Sequence, residues 1–301
     1  MPYSTKSIFV GISVGVCTVL GTFLLRKWLQ RYEQDTENRT QAPNNGKKTE
    51  KARRTTGAPT VDFYKLAPAV SVRNPQLSVL LKFLNEKSAF KAQQEQLRDS
   101  GCLTNVNKVL WNTSNPAIKS ICFKILANIA TNPDMLKDFI KPIVPLVFDT
   151  ITKDQEDTDV LPNVLNLLVN ITSHDECIMC EYNLRAIPQI LSLYTPQINY
   201  QYDIVLSSLK ILINMTCQEM VFDLTLVYMA MIHLLHGCRN NAILLRVLTL
   251  LRNILTSKSL KHDYKFDDEL MRGIGTVLSC NEDKDCLDIA NQIYRLISDN
   301  S

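Results

Sequence analysis

The sequence predicts an all-α solenoid, and three observations carry that reading. Four segments repeat one apolar frame around an asparagine, with apolar residues five, three and two positions before it and one position after it. They are Phe123, Ile125, Leu126 and Ile129 around Asn128; Leu165, Leu167, Leu168 and Ile171 around Asn170; Leu209, Ile211, Leu212 and Met215 around Asn214; and Leu248, Leu250, Leu251 and Ile254 around Asn253. The asparagines stand 42, 44 and 39 residues apart, the length of a two- or three-helix repeat. The frame also follows the 3.6-residue period of a helix, so each segment carries an apolar stripe that its own repeat cannot bury. Neighbouring repeats must therefore stack into one continuous core.

Each unit can be justified in order. In the first, Gly101-Cys102-Leu103, then Val106 and Leu110, then Asn115-Pro116-Ala117-Ile118, lead into Ile125-Leu126-Ala127-Asn128-Ile129-Ala130. The glycine frees a sharp bend between helices, and the Asn-Pro pair stops one helix and starts the next. This order of glycine, short helix, turn and long helix resembles the armadillo family, which implies an armadillo/HEAT-like α-solenoid of about five repeats. Later units keep the frame without the glycine: Ile143 to Val147, Ala186 to Leu191 and Met229 to Leu235 occupy the second-helix slot. A fifth unit ends at Ile289-Ala290-Asn291-Gln292, where Asp288 and Gln292 stand in place of apolar residues, as expected of a terminal cap with one wet face.

The amino-terminal region reads differently. Ile8 to Leu25 is a run of 18 residues without a charge, about 27 Å as a helix and just enough to cross a thin bilayer core. It ends directly in Arg26-Lys27-Trp28 rather than in small residues at a cleavage site, so a retained transmembrane helix is expected. Arg26, Lys27 and Arg31 after the run outweigh the single Lys6 before it, which orients the carboxy-terminal bulk to the cytosol. Ser7, Gly11 and Gly15 recur every four residues on one face of this segment and form a candidate homodimer seam.

The division expected is an anchor at 1–32, a disordered basic tether at 33–65 and a solenoid at 66–301. Glu33 to Thr60 has almost no large apolar residue and cannot offset its ordering entropy by burial. Residues 1–60 hold ten Lys and Arg against four Asp and Glu, whereas the rest holds 23 against 26. All the basic excess lies in the anchor and tether, so a nucleic-acid groove along the solenoid is disfavoured.

Two further features support a cytosolic solenoid. The nine cysteines are odd in number and scattered, and Cys122, Cys217 and Cys286 fall within repeat helices as small core residues. The sequons Asn170-Ile171-Thr172 and Asn214-Met215-Thr216 coincide with repeat asparagines that the fold needs buried, which conflicts with glycosylation in a lumen.

Catalytic chemistry is sparse. Cys177-Ile178-Met179-Cys180 has the spacing of a zinc half-site without its second half, and His174 is one further ligand at most. His233 and His236 form HxxH without the glutamate of a zinc hydrolase, and Ser173-His174-Asp175 is adjacency rather than a triad. No catalytic residue, metal or cofactor is expected.

Binding is expected along a polar strip, because positions four before, at and three after each asparagine return to one face of a helix. The strip reads Lys124, Asn128, Thr131; Asn166, Asn170, Ser173; Lys210, Asn214, Cys217; Thr249, Asn253, Thr256. Its asparagines form a ladder whose amides can bond a backbone group of the next repeat. Nuclear-import receptors of the armadillo fold set a tryptophan four before the ladder asparagine, where this chain has Lys124, Asn166, Lys210 and Thr249. The two lysines suit a partner with acidic or carbonyl groups.

Ile243-Leu244-Leu245-Arg246-Val247-Leu248-Thr249-Leu250, with Asn253 and Ile254, is similar to the corresponding stretch of the X-linked armadillo (Alex) family and its autosomal relative. The resemblance implies a single-pass protein of the mitochondrial outer membrane that faces the cytosol, acts as an adaptor and influences mitochondrial distribution through the Miro and Trak kinesin-adaptor complex. The short tether and the degraded last repeat depart from that pattern. The residues leave alternatives open: the endoplasmic reticulum membrane, a soluble or nuclear armadillo scaffold, and a metal-dependent enzyme built on Cys177 and Cys180.

Overall fold

The structure, a computed structural model, describes residues 61–153, 159–174, 188–191, 193, 202–217, 224–256 and 268–298. The Ile8–Leu25 run, Ser7, Gly11, Gly15, the flanking Lys6, Arg26, Lys27 and Arg31, and the pair Cys177 and Cys180 lie outside the described residues. Among those described, no helix is long and apolar enough to cross a membrane.

Eleven helices of eight residues or more account for the described architecture: α1 Leu77–Ser88, α2 Lys91–Asp99, α3 Cys102–Asn112, α4 Pro116–Ile129, α5 Val144–Lys153, α6 Leu161–Thr172, α7 Tyr202–Cys217, α8 Thr225–Gly237, α9 Asn241–Thr256, α10 Asp268–Cys280 and α11 Lys284–Ser298. The long helices form one layer, with α1 on α4, α4 on α6, α6 on α7, α7 on α9 and α9 on α11. The shorter helices form a second layer, in which α3 packs on α4, α5 on α6, α8 on α9 and α10 on α11. Every side chain of the four predicted frames is buried, so the apolar stripes meet across repeats as their period requires.

The long layer holds one helix more than about five repeats would supply. In α1, Leu81, Phe83 and Leu84 are buried at five, three and two positions before Glu86, so Glu86 takes the slot that asparagine fills later. In α11, Ala290 and Ile293 are buried two before and one after Gln292, which places Gln292 in the same slot at the other end. Asp288 and Gln292 are exposed there, as a wet-faced cap demands.

Local chemistry sets the boundaries. Gly101 sits at φ +79°, the left-handed region, between α2 and α3, and thereby makes the sharp bend. Asn115 Oδ1 accepts from the Ile118 amide at 3.2 Å with Pro116 at the first helical position of α4. Asn240 caps α9 through the amides of Ala242 and Ile243, and Asp283 caps α11 through the amide of Cys286. Ahead of α5, where Pro133 and Pro142 forbid a continuous helix, the chain runs instead through a 3-10 turn, a π-helical Leu136–Ile140 and a second 3-10 turn.

The folded domain starts earlier than residue 66. Phe63–Leu66 is a helical turn that runs into the 3-10 turn Ala67–Ala69, and Phe63 is buried against Phe83 with ring centroids 6.4 Å apart. Asn105 Nδ2 donates to Ala67 O at 2.8 Å and Asn74 Nδ2 to Ala69 O at 2.7 Å. These bonds close the amino-terminal end of the core among the described residues.

Two glycines of α10 separate packing from propensity. A Cβ on Gly273 would stand 2.5 Å from Leu235 Cδ2 and 3.0 Å from its Cγ, whereas one on Gly275 would meet nothing within 4 Å. Gly275→Ala should therefore raise stability by about 0.5–1 kcal/mol, the helix-propensity difference. Gly273→Ala should lower it, because Leu235 is buried and must leave its well. Thermal melts of the two variants check the opposite signs.

Candidate functional site

The predicted groove residues do come together on one layer. Lys124 and Asn128 lie on α4, Asn166 and Asn170 on α6, Lys210 and Asn214 on α7, and Thr249 and Asn253 on α9, each helix packed on the next. Lys124, Asn166 and Lys210 are exposed, and the four asparagines are half-buried.

The ladder runs backward, to the preceding repeat, which corrects the expectation of bonds to the next one. Asn128 Nδ2 donates to Ser88 Oγ at 2.9 Å and reaches Asn85 O at 3.3 Å. Asn170 Nδ2 donates to Ala127 O at 2.8 Å, and Asn214 Nδ2 to Val169 O and Thr172 Oγ1, each at 3.2 Å. Asn253 breaks the pattern by donating to Thr216 Oγ1 at 3.4 Å and Cys217 Sγ at 3.3 Å. In α1, α4, α6 and α7 a polar group near the C-terminal end is thus satisfied by the next long helix, which a half-buried helix end needs.

The position three after each asparagine has a local task as well. Thr131 Oγ1 donates to Asn128 O at 2.7 Å, Ser173 Oγ to Asn170 O at 2.8 Å and Thr256 Oγ1 to Asn253 O at 3.1 Å. At the same register α7 has Cys217, which is exposed, so the expectation that it serves as a small core residue is corrected. Cys122 and Cys286 are buried as expected, and burial pushes their thiols up to about 12 and about 11 respectively. Thr249 Oγ1 donates to Leu245 O at 2.7 Å, so this member of the strip is turned toward its own helix.

What remains for a partner is narrower than the sequence strip. Each ladder asparagine spends its Nδ2 on the preceding repeat, and Lys124, Asn166 and Lys210, four before three of them, are exposed. The structure adds Lys82 to that column, exposed on α1 four before Glu86, and Asp288 on α11 four before Gln292. Sequence reasoning missed Lys82 because Glu86 replaces the asparagine that marked each unit and Lys87 replaces the apolar residue after it; Leu81, Phe83 and Leu84 were the remaining signal. Lys82, Lys124 and Lys210 make no ion pair with any described residue.

The histidines take ordinary structural places. His174 Nε2 lies 2.8 Å from Ala130 O and His236 Nε2 3.0 Å from Glu269 O, while His233 is exposed. Among the described residues no three His, Cys, Asp or Glu side chains gather to hold a metal ion.

Comparison with known proteins agrees with this geometry. The Armadillo-like family model matches residues 109–184, from the end of α3 past α6. No curated protein matches by sequence. Among solved structures, a designed armadillo repeat protein in complex with the peptide (KR)4 is similar with a TM-score of 0.65 at 12% identity, covering 79% of this chain and 100% of that one. An engineered protein is similar with a TM-score of 0.63 at 17% identity, covering 80% and 98%. A computationally designed armadillo repeat protein for modular peptide recognition gives 0.62 at 12% identity, covering 78% and 99%. The fold is that of an armadillo-repeat α-solenoid, all helical in its described residues.

Proposed function

We propose that this chain is a non-enzymatic armadillo adaptor that holds an extended, acidic segment of a partner protein along its long-helix layer. The observation that carries the reading is the exposed column of Lys82, Lys124 and Lys210 beside the half-buried ladder asparagines, whose Oδ1 atoms are hydrogen-bond acceptors. A peptide backbone can donate its N–H groups to the acceptors while its carboxylates meet the ammonium groups, which bear no competing ion pair. The designed neighbour was solved with a basic peptide; the lysines here favour the opposite charge. Matched acidic and basic peptides offered to the purified chain test this, with binding of the acidic one alone expected and screened by salt. Equal binding of both peptides would sink the charge reading.

The same proposal puts the adaptor on the mitochondrial outer membrane through residues 1–32, with the solenoid in the cytosol, and makes the Miro and Trak complex its candidate partner. Support comes from the apolar run with its basic flank, from the resemblance to the Alex family, and from the sequons. Asn170 and Asn214 commit Nδ2, the atom that would carry a glycan, to hydrogen bonds between repeats. Residues 1–32 fused to a fluorescent protein should decorate mitochondria, and changing Arg26, Lys27 and Arg31 to serine should redirect the fusion to the endoplasmic reticulum. A fusion that stays diffuse overturns the anchor.

A further inference from the structure

We propose that the amino-terminal edge of the solenoid is a membrane-contact face that lies on an anionic bilayer surface through Val72, Arg73, Lys108 and Trp111. The inference rests on the anchor reading above, because the anchor supplies the proximity.

The turn after Ala67–Ala69 and the outer side of α3 enclose a shallow cleft of about 250 Å³, lined among others by Pro68, Val72, Lys108, Val109 and Asn112. That volume falls below the range of roughly 300–1,000 Å³ usual for small-molecule sites, so a buried ligand is not what the cleft serves. Val72 in its lining is 48% exposed, and Trp111, on α3 outside the lining, is 53% exposed. Trp111 lies one helical turn beyond Lys108 on α3, which makes the two side chains neighbours on the helix surface. Arg73 follows Val72 and is exposed as well.

The chemistry of this edge is one-sided. No carboxylate lines the cleft, and neither Arg73 nor Lys108 makes an ion pair with a described residue. An exposed indole beside unpaired cations is the composition that sits at a headgroup layer, where the ring takes the interface and the cations take the anionic surface. A protein partner would accept the indole too, but position favours the bilayer. The described fold begins at Val61, a few residues before the cleft. The 28 residues from Glu33 to Thr60, taken as the coil their composition predicts, span about 30 Å root-mean-square. The cleft is then held near the surface at an effective concentration on the order of millimolar, so a weak patch suffices to dock.

The consequence is an orientation. With its amino-terminal edge on the membrane, the solenoid would hold α7 with Lys210 and α11 away from the headgroups, while Lys82 on α1 lies nearest them.

The test uses the full chain with Trp28→Phe, which leaves Trp111 as the sole tryptophan of the two. The protein is reconstituted in phosphatidylcholine vesicles carrying brominated acyl chains, with or without phosphatidylserine, and Trp111 fluorescence is read. Quenching is expected only with phosphatidylserine, and it should be lost at high salt and in Arg73→Glu with Lys108→Glu, whose circular dichroism should be unchanged. Carbonate extraction of the same vesicles reads the anchor separately. Carbonate-resistant protein whose Trp111 is unquenched in both lipids overturns the contact while keeping the anchor. Equal quenching in both lipids, untouched by charge reversal, also overturns it. Shielding of Trp111 by an added protein partner while lipid leaves it unquenched assigns the patch to that partner instead. Protein that carbonate removes sinks the anchor, and the contact with it.

Discussion

Leu168→Ala and Leu212→Ala should each lower the unfolding free energy by about 2–5 kcal/mol, the range for a leucine truncated in a packed core. Leu168 is 0% exposed on α6 and Leu212 1% exposed on α7, in the seam where the two long helices stack. Truncation removes transfer energy and leaves a cavity that neighbours on both repeats must fill. Lys210→Ala, two residues from Leu212 but exposed, should cost little. Because each repeat contacts only its neighbours, the damage should also show as earlier local opening around α6 and α7 in hydrogen exchange. Similar melting temperatures for the three variants would refute the packing of this face.

Lys124→Glu with Lys210→Glu should abolish partner capture in pull-downs while circular dichroism and melting stay as they are. Both side chains are exposed, and neither holds another described residue in place. Reversal of two charges replaces attraction for an acidic segment with repulsion at two points along its length, a like-charge cost of several kcal/mol across an interface. Adding Lys82→Glu should extend the loss to partners long enough to reach α1. By contrast, Asn170→Ala is a poor probe of binding, because it removes the bond to Ala127 O and weakens the stack itself. Capture that persists in a folded Lys124→Glu, Lys210→Glu chain would move the binding site to the other layer or to the tether.

The amino-acid sequence by itself determined the helical repeat, its length and the buried face of each long helix. Periodicity is a local property: Leu165, Leu167, Leu168 and Ile171 share a face whatever they pack on. It also determined the bend at Gly101 and the start of α4 at Asn115-Pro116, since backbone freedom and capping act within a few residues. It was less informative at the ends. Glu86 and Gln292 fill the ladder slot in the first and last long helices described, so a pattern keyed to asparagine passes over both. The 3-10 and π turns ahead of α5 were not legible either, because their form depends on how Pro133 and Pro142 are accommodated by packing.

Only the tertiary structure decided which polar groups of the strip are occupied. A sequence shows that Asn128, Thr131, Asn170 and Ser173 are polar and co-facial; it cannot show that each Nδ2 reaches the preceding repeat and that each hydroxyl closes a carbonyl one turn back. Those partners stand about 43 positions away or belong to the backbone, so no pattern of side chains encodes them. The physical reason is that burial and hydrogen-bond satisfaction depend on what lies opposite a group in space. Lys124 and Lys210 in the column four before the ladder were legible from the repeat spacing; Lys82 joined them only when the stacked helices set α1 beside α4.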